Sequence, residues 1–218
     1  TVDMSNTEFK FGWAKEINIG ELKTWAFRIS YVGDLGWEIY IPTENGQDIW
    51  DLLWESGKPY GIIPAGIGVY GTTGRLEKGY RLFGAELEGD YNPIEAGLLR
   101  PKVKLQDFIG KNALLKLREK DPVAILCTLT VDNHQSLNGE LRYMLGGEPI
   151  LTTNGNRIVD ANGRSSYVTS AGSGPSTGKH ILLAYLPPQY AKESTSLLVE
   201  YFGDQYPVTV AVAGNKSL

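Results

Sequence analysis

The sequence predicts an α+β protein: an α/β subdomain over residues 1–120, followed by a small antiparallel β-barrel over residues 121–218. Three observations carry this reading. Near the N-terminus, short runs of apolar residues at period two are followed by a stretch at helical period. After Asp121-Pro122 the period returns to two and stays there. Glycine, proline and asparagine turns cut that second part into about seven short runs, the spacing of a small barrel or sandwich. The boundary at 121 is placed to within about four residues.

Residues 11–17 and 22–31 read as two strands of a hairpin that turns at Gly20. Residues 35–41 read as a third strand with Trp37, Ile39 and Ile41 on one face. Pro42-Thr43-Glu44 opens a helix over 44–54, with Thr43 as N-cap and Glu44 at the positive end of the dipole. Ile49, Leu52 and Leu53 form its apolar face, which is expected to pack on the sheet. Gly57 and Pro59 end it. A second helix is predicted over 64–78, its glycines implying close backbone packing. A third runs over 110–120, with Ala113, Leu114 and Leu117 as its stripe. The strands of the second part are predicted over 123–131, 148–152, 157–160, 166–170, 180–186, 196–201 and 207–213.

With 42% hydrophobic residues the chain can build a substantial core. Its net charge, 21 cations against 25 anions, is −4. That balance argues against a nucleic-acid surface or an anionic membrane surface as partner. No apolar run reaches the ~20 residues of a membrane span, and no signal peptide is visible. The single cysteine, Cys127, excludes internal disulfides, fits a reducing compartment and lies in an apolar run as inert core. The start at Thr1 and the end at Lys216-Ser217-Leu218 are read as those of a piece of a longer chain.

Two polar clusters are candidates for chemistry. Arg75-Leu76-Glu77-Lys78-Gly79-Tyr80-Arg81 places four charges at the end of a glycine-spaced segment. Such a density suits a clamp on an anionic ligand, and Arg75 is its leading residue. A cation at a helix C-terminus is the plainer reading of Arg75. The second cluster centres on Asp34, after Gly33, between Tyr31 and Trp37, with Arg28 nearby. It is either an ordinary turn or a carboxylate that accepts hydrogen bonds from an amino-pyrimidine edge while the aromatics stack on the ring.

Other motifs carry less. Gly66-Ile67-Gly68-Val69-Tyr70-Gly71 spells G-x-G-x-x-G, but the strand–turn–helix context and the later acidic residue of a dinucleotide site are missing. It reads instead as the glycine face of a packed helix. His134 and His180 are far apart and, with Cys127, give no zinc-ligand spacing, so no metal is assigned. His134 is expected in a polar surface loop. No nucleophile elbow is present.

Ordered segments along the chain resemble the glycine cleavage T-protein (aminomethyltransferase) superfamily. Arg28-Ile29-Ser30-Tyr31-Val32-Gly33-Asp34-Leu35-Gly36-Trp37-Glu38 is similar to its R-x-S-Y-x-G-E-x-G-[YW]-E segment, and Arg75-Leu76-Glu77-Lys78-Gly79-Tyr80-Arg81 to its L-E-K-G-Y-R segment. Asn92-Pro93-Ile94-Glu95-Ala96-Gly97-Leu98 resembles P-x-E-A-G-L, and Asp107-Phe108-Ile109-Gly110-Lys111 resembles D-F-I-G-K. Val168-Thr169-Ser170 and Ala184-Tyr185-Leu186 resemble the family's V-T-S and A-Y-[VL] strands. Trp37, Lys78 and Tyr80 bring the chain nearest to the T-protein-like region of dimethylglycine and sarcosine dehydrogenases.

The resemblance implies a T-protein-like folate-binding α/β subdomain followed by the T-protein C-terminal barrel. It implies tetrahydrofolate as cofactor, one-carbon (aminomethyl or methyl) transfer, a small methylamine-type substrate, and possible FAD in an absent N-terminal domain. It implies a location in the cytoplasm, or in the mitochondrial matrix of a eukaryote. Asp34 and Tyr31 are the implied pterin contacts, and Arg75 is implied to lie at or near the same site. The turn acid here is Asp, one methylene shorter than the family's Glu. The family's catalytic aspartate lies in an N-terminal half that this chain lacks, so no catalytic residue is assigned. The alternative is a non-catalytic folate-binding or structural fragment.

Overall fold

A computed structural model describes residues 2–98 and 103–214; the Thr1 start and the Lys216-Ser217-Leu218 end lie outside the described residues. The chain divides into two compact units, Thr1–Ile67 and Gly68–Leu218.

In the first unit, β1 (Ala14–Ile19) and β2 (Leu22–Phe27) form the expected hairpin, with Ile17 opposite Thr24 and Gly20 at φ +59° in the turn. β1 starts later than the apolar pattern suggested. Gly12, at φ +81°, makes a turn in which the Trp13 amide donates to the Lys10 carbonyl at 3.1 Å. β3 (Glu38–Tyr40) pairs with β2 through Ala26–Ile39. It is only three residues long because residues 28–37 leave the ladder as a loop. Phe9, Ile17 and Ala26 form the core of this unit, with Trp37 and Ile39 packed against them.

The first helix, α1 (Gly46–Gly57), is preceded by a 3-10 turn, Thr43–Asn45. Thr43 therefore sits inside that turn and makes no capping bond, contrary to expectation. Ile49 is buried, whereas Leu52 and Leu53 stay largely exposed. The helix stops at Gly57 as predicted: the Ile62 amide returns to the Gly57 carbonyl at 3.2 Å, and Gly61 takes φ +74°.

The helix expected from residue 64 begins at residue 67, and the rest of it belongs to the second unit. Its middle, Val69–Gly74, is wound as a π-helix, and it ends in α2 (Arg75–Glu77). The predicted glycine face is not packed: a side chain at Gly66 or Gly71 would meet nothing within 4 Å. The close approach lies elsewhere. A Cβ on Gly172 would run into the Thr72 carbonyl oxygen and would lie 2.9 Å from Leu76 Cδ1. The next helix, α3 (Lys111–Arg118), buries none of its residues, and its stripe is half-buried only at Leu114.

Six strands form one antiparallel sheet: β4 (Ile125–Val131), β5 (Ile150–Leu151), β6 (Val168–Gly174), β7 (Lys179–Leu186), β8 (Ser196–Tyr201) and β9 (Asp204–Ala213), in the order β5-β8-β9-β4-β7-β6. The sheet curls back on itself. A Pro149–Tyr167 bridge links its outer strands, flanked by Ile150 N to Ser166 O at 3.0 Å and Val168 N to Glu148 O at 2.8 Å. This is the barrel read from the turn spacing, with one correction. Residues 157–160 form no strand, only the isolated bridges Leu151–Arg157 and Val159–Ser165.

The barrel interior holds Cys127, Leu129, Val131, Leu182, Ala184, Leu186, Val199 and Val208 among others. A second apolar layer on the outer face joins Leu126, Ile181, Leu183 and Tyr185 to Leu76 and Ala96. β7 is thus buried on both faces, which is why its sequence is a continuous apolar run. Leu76 and Ala96 precede the change of period at 121, yet they belong to this second compact unit. Cys127 is buried inert core as expected, and burial pushes its thiol up to about 12.

Candidate functional site

The loop between β2 and β3 carries the turn acid. Gly33 takes φ +77°, and Asp34 follows it with an exposed side chain. Tyr31 and Trp37 flank the turn, both half-buried. Trp37 is anchored on its inner side by Phe9, at 6.4 Å between ring centroids, while the Arg28 guanidinium lies 5.8 Å from the indole centroid. Arg28 also donates to the Phe9 carbonyl and to Asn6 Oδ1, tying the N-terminal segment to the start of this loop. The Trp37 Nε1–H is buried and has no acceptor among the described residues. An orphaned buried donor is uncommon and marks a place where a ligand or water acceptor belongs.

At the far end of the loop Tyr40 donates its hydroxyl to Glu38 Oε2 at 2.8 Å, and that carboxylate holds the Tyr40 phenol above its ordinary value. Tyr40 is stacked edge-on against Phe27 at 5.1 Å. The loop therefore presents an exposed carboxylate and aromatic faces, with an unsatisfied indole donor buried behind them. This set fits a flat heterocycle with amino donors on one edge.

Arg75 stands in the second unit and is only 2% exposed. Its Nε donates to the Gly71 carbonyl, Nη1 to the Tyr80 carbonyl at 2.9 Å and to Glu86 Oε2 at 3.2 Å, and Nη2 to Ser170 Oγ at 2.8 Å. Glu86 is fully buried and also accepts from the Leu82 amide at 2.9 Å and Thr169 Oγ1 at 2.6 Å. The Tyr185 hydroxyl donates to the Glu86 carbonyl at 2.8 Å. Here the segments around Arg75, Val168-Thr169-Ser170 and Ala184-Tyr185-Leu186 meet.

Glu77 and Arg81 of the same run also serve the fold. Glu77 accepts the Ser176 and Thr177 amides at 2.7 and 3.3 Å, closing the β6–β7 turn. Arg81 donates to the carbonyls of Ala96, Gly79 and Gly214. Glu95, inside Asn92-Pro93-Ile94-Glu95, binds the Asn92 amide at 3.0 Å and pairs with Arg164. Arg164 also reaches Asp160 at 2.7 Å and lies 4.2 Å from the Tyr91 centroid, and Tyr91 in turn stacks on Tyr185 at 3.6 Å. Sequence spacing alone pointed to neither Glu86 nor Arg164. Their signal lies in partners far away in the chain.

Two family models match separate stretches of the chain. Residues 1–106 match the family described as "GCVT N-terminal domain", and residues 136–214 match the "Glycine cleavage T-protein C-terminal barrel domain". Mitochondrial dimethylglycine dehydrogenase of Mus musculus is 33% identical over 213 residues, covering 95% of this chain and 22% of the relative. An aminomethyltransferase of Caldanaerobacter subterraneus is 34% identical over 87% of this chain and 46% of its own length. Among solved structures, the glycine cleavage system aminomethyltransferase T of Bartonella henselae superposes with a TM-score of 0.71 at 26% identity, covering 86% of this chain and 48% of that one. The chain thus spans about a fifth of the dehydrogenase and about half of each aminomethyltransferase.

Proposed function

This chain belongs to the glycine cleavage T-protein (aminomethyltransferase) superfamily, and on that premise we propose that its β2–β3 loop forms part of a tetrahydrofolate site for one-carbon transfer. The observation that carries the proposal is the Gly33–Asp34 turn: an exposed carboxylate beside Tyr31 and the orphaned Trp37 donor, inside the segment that resembles the family's G-E-x-G turn. The residues present fit the cofactor. Asp34 accepts hydrogen bonds from the amino-pyrimidine edge of the pterin, and Tyr31 offers it an aromatic face. Trp37 Nε1 donates to an acceptor on the same ring system.

Bound tetrahydrofolate would supply the N5 and N10 nitrogens that take up the one-carbon unit. The chain's own residues bind and orient it, so that proximity contributes to the transfer. Arg75, which the resemblance puts at or near the folate, is bound wholly to protein groups here. Its proposed part is positioning: from the first residue of α2 it fixes the Tyr80 carbonyl. Acid–base work falls to a part of the family fold outside this chain. The substrate is a small methylamine-type donor, and in a dehydrogenase-like parent FAD belongs to a preceding domain. Among the described residues no helix is long and apolar enough to cross a membrane. The cytoplasm or the mitochondrial matrix is the proposed location, the latter supported by the mitochondrial dimethylglycine dehydrogenase relatives.

Calorimetry of tetrahydrofolate with the chain, and with Asp34→Ala, tests the site. Equal affinity for both refutes it. A turnover assay with sarcosine or dimethylglycine plus tetrahydrofolate then separates a binding fragment from an active one.

A further inference from the structure

The geometry points to a two-imidazole site for a borderline divalent cation, formed by His134 and His180 in the second unit. The two residues are 46 positions apart in sequence, yet their ring centroids lie 5.5 Å apart with planes inclined at 67°. Each ring has one nitrogen fixed by a backbone carbonyl, His134 Nδ1 by Arg142 O at 3.1 Å and His180 Nε2 by Met144 O at 3.0 Å. A carbonyl only accepts, so both of those nitrogens carry the proton. The lone pairs are left on His134 Nε2 and His180 Nδ1. A ring N–H held by a backbone carbonyl is the support that metal-ligating histidines ordinarily have.

Three further observations favour a cation. His180 is buried, and its Nδ1 has no partner among the described residues. A metal bonded to a ring nitrogen at ~2.0–2.1 Å sits roughly 3.2 Å from that ring's centroid, so with both lone pairs turned to one cation the 5.5 Å separation would give a nitrogen–metal–nitrogen angle of about 120°. Glu148, which accepts the Leu145 and Gly146 amides at 2.7 and 2.8 Å, places a negative charge near His180. The Tyr143 ring, 5.0 Å from His134 and 5.4 Å from His180, forms a third wall. His134 is half-buried and gives access from solvent.

Two imidazoles select zinc, nickel or copper(II) over magnesium or calcium. No cluster of three or more His, Cys, Asp or Glu side chains is placed to hold a metal among the described residues. Water therefore completes the coordination, and the site is exchangeable rather than closed. A bound cation ties the connection between β4 and β5, which carries His134, Arg142 and Met144, to His180 on β7.

The test titrates Zn²⁺, Ni²⁺ and Cu²⁺ into the 218-residue chain at pH 7.5, with Mg²⁺ as control, reading calorimetry and thermal unfolding. Copper is also read by electron paramagnetic resonance for nitrogen coupling. The expected result is one equivalent bound, a raised Tm, no response to Mg²⁺, and affinity that falls in acid because the metal requires a deprotonated ring nitrogen. His134→Asn, in a loop where folding is preserved, weakens binding by at least about tenfold, and His180→Asn does the same. Absence of binding at millimolar cation, or binding that His134→Asn leaves unchanged, overturns the proposal.

Discussion

Arg75 and Glu86 form an ion pair at 3.2 Å with both side chains closed off from solvent. Each has further hydrogen bonds: Arg75 to two carbonyls and Ser170, Glu86 to the Leu82 amide and Thr169. Through Ser170 and Thr169 the pair joins the start of α2 and the segment carrying Glu86 to β6. Removing one partner leaves a buried charge uncompensated, so Arg75→Ala or Glu86→Ala should cost about 3–5 kcal/mol. Urea unfolding midpoints measure this. The double replacement Arg75→Met with Glu86→Leu should lose less than either single alanine. A double variant as unstable as the sum of the singles would show that the pair is not the unit.

Gly172 makes room for the Thr72 carbonyl oxygen and Leu76. Gly172→Ala should therefore destabilise the second unit by about 1–3 kcal/mol, the usual cost of overpacking. Gly66→Ala, where a methyl meets nothing, should leave thermal stability close to wild type. A neutral Gly172→Ala would mean that the π-wound turn yields freely.

Asp34 is exposed and its carboxylate makes no fold contact among the described residues, so Asp34→Ala should change the unfolding free energy by less than about 0.5 kcal/mol. Its effect should fall on tetrahydrofolate affinity. Loss of a hydrogen bond to a charged group costs about 1.5–3 kcal/mol, or roughly ten- to a hundredfold in Kd. Asp34→Glu restores the length of the family's turn acid and should bind at least as tightly as wild type. Weaker binding by Asp34→Glu would show that this loop has adapted to the shorter side chain.

His180 should make stability fall in mild acid. Burial holds its imidazole below the ordinary value of 6.5, and His134 adds to this, while the Met144 carbonyl and Glu148 oppose it. A group whose folded value is depressed binds its proton more readily in the unfolded chain. Stability is thus fully present above pH 6.5, and it declines as the pH drops from there through the folded value. Thermal unfolding with chelator present, between pH 7.5 and 5, should show this fall. His180→Asn should flatten it. An unchanged slope in that variant would assign the acid sensitivity to other groups.

Strands were legible in the sequence wherever one face or both faces are apolar. The 196–201 segment and the β1–β2 hairpin follow from alternation and from the glycine turn, and β7 from an unbroken apolar run. Residues 157–160 misled because Ile158 is buried under the barrel without a partner strand. Burial and strand pairing produce the same local pattern. Gly66 to Gly71 misled in another way: glycine spacing signals backbone freedom, but the close approach it suggested is made by Thr72 against Gly172 on β6.

By itself, the sequence determined the α+β class, the barrel after the helices, the family, and Asp34 as an acid on a turn between aromatic residues. Those properties rest on local period, turn chemistry and ordered motifs, all of which are written along the chain. Tertiary structure alone decided how the charges are used. It turned Arg75 inward to Glu86 and Ser170, 11 and 95 residues away, and it brought His180 to His134. Whether a charge faces ligand or core depends on which distant groups share its desolvated space, and no local pattern records that.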